Sequence, residues 1–289
     1  MRKKINVLVL PTVSNIDHIL KNIKTPINVT SGTYADLEFH ISDNNLSIIF
    51  RGKDIKEFDS VWLSSYWGSR DLAYAVKQYL KHHNVHHTFV EKAGSKISDS
   101  VIFALRGINV PNTFFVYNSD INAYKDILEK VCGYPLIVKD IKGSRGIHSD
   151  LISNADELIE KMSQLPKHNK YHFQTYIPND HDWGVLISGG KVVSGEKSYT
   201  ASGEYRNNAC NGATEVFVKL NDIPEDIQHI ALEASTALKL TWSRVDIIVD
   251  KNTQIPYILE VNRSPGITKG STEVSGAADF LKKFVIPLS

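Results

Sequence analysis

Residues 244–262, RVDIIVDKNTQIPYILEVN, hold two apolar runs around a polar connection centred near Thr253, and no other stretch restricts the fold as much. Such a pattern forms a β-hairpin with a loop of several residues. With that centre, residue 246 pairs with residue 260. Side chains alternate along a strand, so Asp246, Glu260 and Asn262 share one face, with Ile248 and Ile258 between them and the turn. Leu259 and Val261 point the other way, and Ser-Pro-Gly at 264–266 stops the second strand. Two carboxylates facing each other repel, which a cation between them would relieve. An oxygen-only set suits Mg²⁺ or Mn²⁺ and not zinc. A solvated polar face on a two-stranded ribbon accounts for the same pattern.

The rest of the composition narrows the class. Across 289 residues, 33 Lys and Arg balance 32 Asp and Glu, so no global field draws in nucleic acid or an anionic membrane. The two cysteines, Cys132 and Cys210, fit a reducing compartment without a disulfide framework. The start, MRKKINVLVLP, has an apolar run too short for a signal peptide and reads as a first strand. No apolar run approaches membrane-spanning length. The expectation is a cytoplasmic α/β protein with two or three subdomains.

Strand-like runs INVLVL (5–10), LSIIF (46–50) and SVWLSS (60–65), helical spacing over 72–83 and a further strand at VHHTFV (85–90) predict a small parallel sheet with flanking helices. A new unit begins near Lys96, with a helix over 99–107 ended by Gly107. VPNTFFV, a helix at 120–131, the strand PLIVKD (135–140) and the loop IKGSRGIHSD follow. From YHFQTYI (171–177) onward the chain reads mostly as strands, with helices near 224–238 and 275–284.

PLIVKDIKGSRGI (135–147) puts Lys139 near the end of an apolar strand, ahead of Gly143 and Gly146. Glycines let backbone N–H groups approach phosphate oxygens, and a lysine supplies a point charge. The spacing is neither a Walker loop nor a Rossmann fingerprint, and a plain glycine turn between two strands also explains it.

Taken in order, the strand lysine, the glycine-rich loop, QTYI (174–177), RNN (206–208), Asp246 and LEVNRSPG (259–266) resemble the ATP-grasp superfamily, in particular its RimK-type amino-acid ligases, over roughly residues 95–285. The resemblance implies an ATP-grasp fold: an N-terminal α/β domain (1–95), a small central domain (96–174) and a C-terminal antiparallel-sheet domain (175–289, α+β in character), with ATP between the last two. It implies a ligase that uses ATP and Mg²⁺ (or Mn²⁺) to activate a carboxylate as an acyl phosphate, which an amine attacks. Lys96 and Lys139 then match the nucleotide-phosphate lysines, and Gly143, Ser144 and Gly146 the loop that closes over the phosphates. Thr175, Tyr176 and Ile177 match the segment that reads adenine, although Thr175 replaces a common acidic residue, and Asp182 matches a ribose-contacting acid. Arg206 and Asn208 match the Arg-x-Asn that faces the transferring phosphate and the metal, with Arg206 and Lys139 the catalytic pair. Asp246, Glu260 and Asn262 match the metal ligands. Phosphoryl transfer to a carboxylate brings anions together, so cations on both sides are what the chemistry requires. No side-chain nucleophile is required, so Cys210 need not be catalytic and is read as a small packed or exposed thiol.

Two departures bear on substrate choice. RimK-type enzymes commonly carry arginine two residues after the ribose acid, where this chain has Gly184, and ACNGA after RNN lacks a basic residue often found there. Lys197 and Arg263 are the candidates for replacement charge. The aromatic stretch VWLSSYWGSR, with Trp62, Tyr66, Trp67 and Arg70, is either a recognition surface or core and rim. His82 and His86 are four apart, but the chain crosses there from helix to strand, which breaks metal-ligand spacing. The expected partners are ATP and an amino-acid, peptide or protein substrate, with neither membrane nor nucleic acid; a homo-oligomer is left open. The competing readings are an ATP-grasp phosphotransferase and a nucleotide-binding regulatory module without turnover.

Overall fold

The computed structural model describes residues 4–43, 45–117, 121–143, 149–201 and 212–287. The N-terminal unit contains β1 (Ile5–Leu10), α1 (Ile16–Leu20), β2 (Ile27–Ser31), β3 (Leu37–Ser42), β4 (Asn45–Phe50), β5 (Lys53–Asp54), β6 (Ser60–Leu63), α2 (Arg70–His82) and β7 (His86–His87). Strands β2-β1-β6-β7 form a parallel sheet. The unbroken apolar run of β1 is explained by this, because both faces of a parallel sheet are covered. Leu8, Leu10, Val61 and Leu63 pack toward α2, whereas Val7, Val9 and Trp62 face the C-terminal part of the chain.

Residues 46–50 do not join that sheet as the sequence suggests. They form β4 of an antiparallel sheet β3-β4-β5, with Ser42 paired to Asn45 and Asp43 at φ 47°. A short hairpin closes at lower entropic cost than a crossover into a parallel sheet. The run 85–90 is strand only at His86–His87; beyond it the Thr88 hydroxyl accepts from the Leu63 N–H at 2.8 Å and takes over the edge pairing.

The central unit contains α3 (Lys96–Leu105), β8 (Thr113–Phe115), α4 (Lys125–Cys132), β9 (Leu136–Asp140), β10 (Ser149–Ile152), α5 (Ala155–Gln164) and β11 (Tyr171–Thr175). Its sheet, β10-β9-β11-β8, is antiparallel. Leu136, Val138 and Phe173 pack onto α4 and α5, leaving Lys139 and Gln174 on the opposite face. Helix α5 is absent from the sequence expectation, although the Asn154 side chain caps it by accepting from the Glu157 N–H at 3.0 Å.

The C-terminal unit contains β12 (Asp182–Ser188), β13 (Lys191–Tyr199), β14 (Thr214–Val218), α6 (Glu225–Ala237), β15 (Trp242–Val249), β16 (Pro256–Asn262) and α7 (Thr272–Phe280), which runs into a π-turn at 281–285. Its five-stranded antiparallel sheet has the order β14-β13-β12-β15-β16. One face, with Val185, Val245, Ile247, Ile258 and Val261, packs on α6 together with Phe103 of α3. On the other side Leu186 and Trp242 meet α7 and the N-terminal sheet, where Trp62 lies 5.5 Å from Trp242 and 5.4 Å from Phe280 between ring centroids. Trp62 is therefore core. Among the described residues no helix is long and apolar enough to cross a membrane.

The hairpin of β15 and β16 pairs Asp246 with Glu260 and Arg244 with Asn262, in the anticipated register. Toward the turn the register slips by one, so that Ile247 faces Ile258 and Leu259 is the extra residue of a bulge. Ile258 consequently lies in the α6-facing core beside Val261, not on the face of Glu260 as simple alternation requires. The bulge breaks the period of two at one point.

Candidate active site

A row of residues crosses four strands of the C-terminal sheet: Glu196, Gly184, Asp246 and Glu260, each paired with the next. Arg244 and Asn262 occupy the neighbouring row on the same face. The Asn262 amide donates to Asp246 Oδ2 at 2.9 Å, which leaves its own carbonyl oxygen toward a third partner. Burial, then the adjacent Glu260, pushes the Asp246 carboxyl up to about 6, while Arg244 acts in the opposite direction. Opposed carboxylates are ordinarily relieved by a cation. Two carboxylates and an amide oxygen are a donor set that fits Mg²⁺ or Mn²⁺.

The lysines approach from the other side. Lys96, first residue of α3, lies 3.7 Å from Glu260 Oε2 and donates to the Gly143 carbonyl at 2.8 Å. It thereby links the glycine-loop entrance to the carboxylate row. Lys139 projects from β9 beside His172 of β11 and donates to Gln174 Oε1 at 2.8 Å. Burial first, and then the like charge of Lys96, lowers Lys139 to about 8. His172 is buried with no partner for Nδ1, and burial together with the two lysines holds it well below the usual imidazole range, to about 3. Lys96 and Lys139 thus form a positive patch opposite the carboxylate row, with a neutral His172 beside them.

At the expected adenine segment, Thr175 donates its N–H to Asn112 O (2.9 Å) and its hydroxyl to Cys132 O (2.7 Å), and the Tyr176 N–H bonds Pro135 O at 3.2 Å. Among the described residues the Ile177 N–H has no bonded partner. Asp182 opens β12 on the face of Gly184, two residues away. Ser144, Gly146, Arg206, Asn208 and Cys210 lie outside the described residues.

Neither candidate for replacement charge is available. Arg263 is buried, forking onto Asp99 at 2.5 and 2.9 Å and bonding Glu91 Oε1 at 2.8 Å and Val261 O at 2.7 Å. Lys197 lies over the Trp183 ring at 4.8 Å, on the α6 side of the sheet. The guanidinium that fills the space above Gly184 belongs to Arg244: a Cβ at 184 would sit 2.6 Å from Arg244 Cζ. Arg244 Nη2 donates to Glu196 Oε1, Nη1 lies 3.3 Å from Glu273 Oε1, and Nε lies 3.4 Å from Asp246 Oδ1. The sequence carried a signal for Arg244, which stands two residues before Asp246 and thus on its face, but the pairing with Gly184 depends on strand order.

The sequence matches the RimK-like ATP-grasp domain over residues 93–283. A probable alpha-L-glutamate ligase of Marinomonas sp. (strain MWYL1) is 28% identical over 240 residues, covering 78% of this chain and 75% of that one. A probable alpha-L-glutamate ligase 2 of Shewanella baltica (strain OS155 / ATCC BAA-1091) is 32% identical over 208 residues, 68% of this chain and 66% of that one. In architecture the chain is similar to the D-alanine–D-alanine ligase of Bacillus anthracis complexed with ATP (TM-score 0.69, 20% identity, 97% of this chain and 96% of that one). It is also similar to the ATP-grasp ligase PsnB with a minimal precursor, Mg and ADP (TM-score 0.66, 14% identity, 98% of each chain).

Proposed function

Because the chain belongs to the RimK-like ATP-grasp family of ligases, we propose that it is an ADP-forming carboxylate–amine ligase that adds an amino acid to a peptide, protein or small-molecule acceptor. The observation that carries this reading is the opposed pair Asp246 and Glu260, with Asn262 beside them and Lys96 at 3.7 Å. Asp246, Glu260 and Asn262 would hold Mg²⁺, which would supply positive charge against the phosphates of ATP. Lys96 and Lys139 neutralise the remaining phosphate charge, and Arg206 is assigned to the transferring group. The Ile177 N–H and Asp182 are assigned to base and ribose. We divide the chain at residues 96 and 175, which puts the nucleotide between the sheet of Lys139 and the sheet of Asp246.

In the reaction, a carboxylate oxygen of the acid attacks the γ-phosphorus as the bond to the ADP oxygen breaks. The amine nitrogen then attacks the acyl carbon, the phosphate leaves, and the amine gives up a proton. No protein nucleophile is needed. The glycine-rich stretch 143–147 is assigned to keeping water from the acyl phosphate. The test is to incubate the protein with Mg²⁺-ATP and pooled amino acids and peptides. ADP, phosphate and an ATP-dependent gain in acceptor mass are expected; AMP and pyrophosphate would contradict the mechanism.

A further inference from the structure

A cavity of about 120 Å³ lies where the N-terminal unit, α3 and the edge strand β16 meet. By volume it has room for a group slightly smaller than the benzene that a cavity of about 150 Å³ takes up. Lys96, Glu260 and Asn262 line it, and so do Tyr66, Trp67 and Arg70. The proposed transfer centre and the N-terminal aromatic stretch thus share one space.

Arg70 is short of partners there. Its side chain is 13% exposed, and Nε and Nη1 are buried without a hydrogen bond. Glu91 stands 3.9 Å from Nη1, but that carboxylate already accepts from Arg263 Nε at 2.8 Å. Asp99 is taken by the Arg263 fork. Gly94 closes one side, since a Cβ there would sit 2.7 Å from Arg70 Nη1, and the Trp67 ring covers another at 5.0 Å. Burial, and next the charge of Arg263, holds Arg70 below the usual guanidinium value. A buried guanidinium with unused donors is costly, and a carboxylate matches its planar fork. With Lys96 assigned to phosphate and Arg263 to Asp99 and Glu91, Arg70 is the cation in the described lining that has no hydrogen-bonded partner.

We propose that Arg70 binds a carboxylate on the substrate that occupies this cavity, remote from the carboxylate that is activated, and so selects a substrate with two acidic groups. This rests on the ligase reading above. Tyr66 and Trp67 flank the anion, and Phe103 offers apolar contact to the chain between the two acids.

The test is isothermal titration of the full chain, saturated with Mg²⁺ and a non-hydrolysable ATP analogue, with succinate, glutarate, adipate and pimelate, each beside its monoamide. At least one diacid should bind wild type roughly ten- to a hundredfold more tightly than its monoamide, the range of a charge-assisted hydrogen bond. Arg70→Gln should bind the two alike, and Arg70→Lys should keep part of the preference, with the affinity for the nucleotide analogue unchanged in both. Equal binding of acid and monoamide by wild type overturns the proposal even if Arg70→Gln fails to fold. So does an acid preference that survives in Arg70→Gln. If wild type does not bind the nucleotide analogue at all, the ligase reading fails and the proposal falls with it; intact nucleotide binding without acid preference overturns the proposal alone.

Discussion

Around Arg244, one guanidinium serves three carboxylates, Glu196, Asp246 and Glu273, with Glu260 next to them. Around Arg70 and Arg263, two guanidinia share Glu91, while Asp99 is taken by Arg263. The first corner has carboxylate oxygens to spare, including a buried Glu196 Oε2 without a partner; the second has guanidinium donors to spare. Both are built from the same residue types at similar depth. What differs is the ratio, and the ratio indicates the sign of the missing partner. The proposed cation falls at the first corner and the proposed anion at the second.

The comparison can be broken most severely at Glu260. Glu260→Gln removes half of the opposed pair and should lower kcat by roughly 10²- to 10³-fold, the scale of losing one preorganised electrostatic contact to a transition state. Steady-state ADP release, with circular dichroism to verify folding, checks it; unchanged turnover would remove the hairpin from the active site. Arg244→Gln takes away the counter-ion that Glu196, Asp246 and Glu273 share. Leaving buried carboxylates uncompensated costs about 3–5 kcal/mol, seen as a lower urea midpoint, and added Mg²⁺ should recover part of the loss. Gly184→Ala tests the same corner by crowding. Its Cβ would displace the Arg244 guanidinium, at a cost of about 1–3 kcal/mol typical of overpacking, in the same denaturation experiment.

The smallest effect expected is pH dependence at the lysine patch. Lys139 is lowered to about 8 in the free protein, so it is charged below that pH and neutral above it. Bound triphosphate favours the charged form and raises the value in the complex. The Kd for Mg²⁺-ATP should therefore be flat below pH 8 and rise by up to roughly tenfold per unit above it, until the pKa of the complex is reached. Titration calorimetry across that range, repeated on Lys139→Arg, should show the rise in wild type and its absence in the variant.

Local patterns made part of this site legible. The near-symmetric apolar runs around Thr253 fixed the pairing of Asp246 with Glu260, because a hairpin's register follows from its turn. The bulge at Leu259 left no mark, since Ile258, Leu259 and Val261 are all apolar and any of them could face a core. Arg244 over Gly184 was hidden for a different reason. It requires β12 to lie between β13 and β15, a pairing across about sixty residues that alternation does not encode. The Arg263 fork onto Asp99 spans a still longer separation, which is why Arg263 reads in sequence as a free charge. Helix α5, by contrast, had a readable start in Asn154 followed by Asp156 and Glu157. The N-terminal region misleads through β4, whose β-rich run fits a parallel or an antiparallel neighbour equally well.

The most direct measurement is an anomalous difference map from crystals grown with Mn²⁺ and a non-hydrolysable ATP analogue. The account predicts a peak at roughly 2 Å from oxygens of Asp246, Glu260 and Asn262, between them and the phosphates, with Lys96 moved from Glu260 toward the nucleotide. A peak elsewhere, or nucleotide bound with no ion at these three side chains, would contradict it.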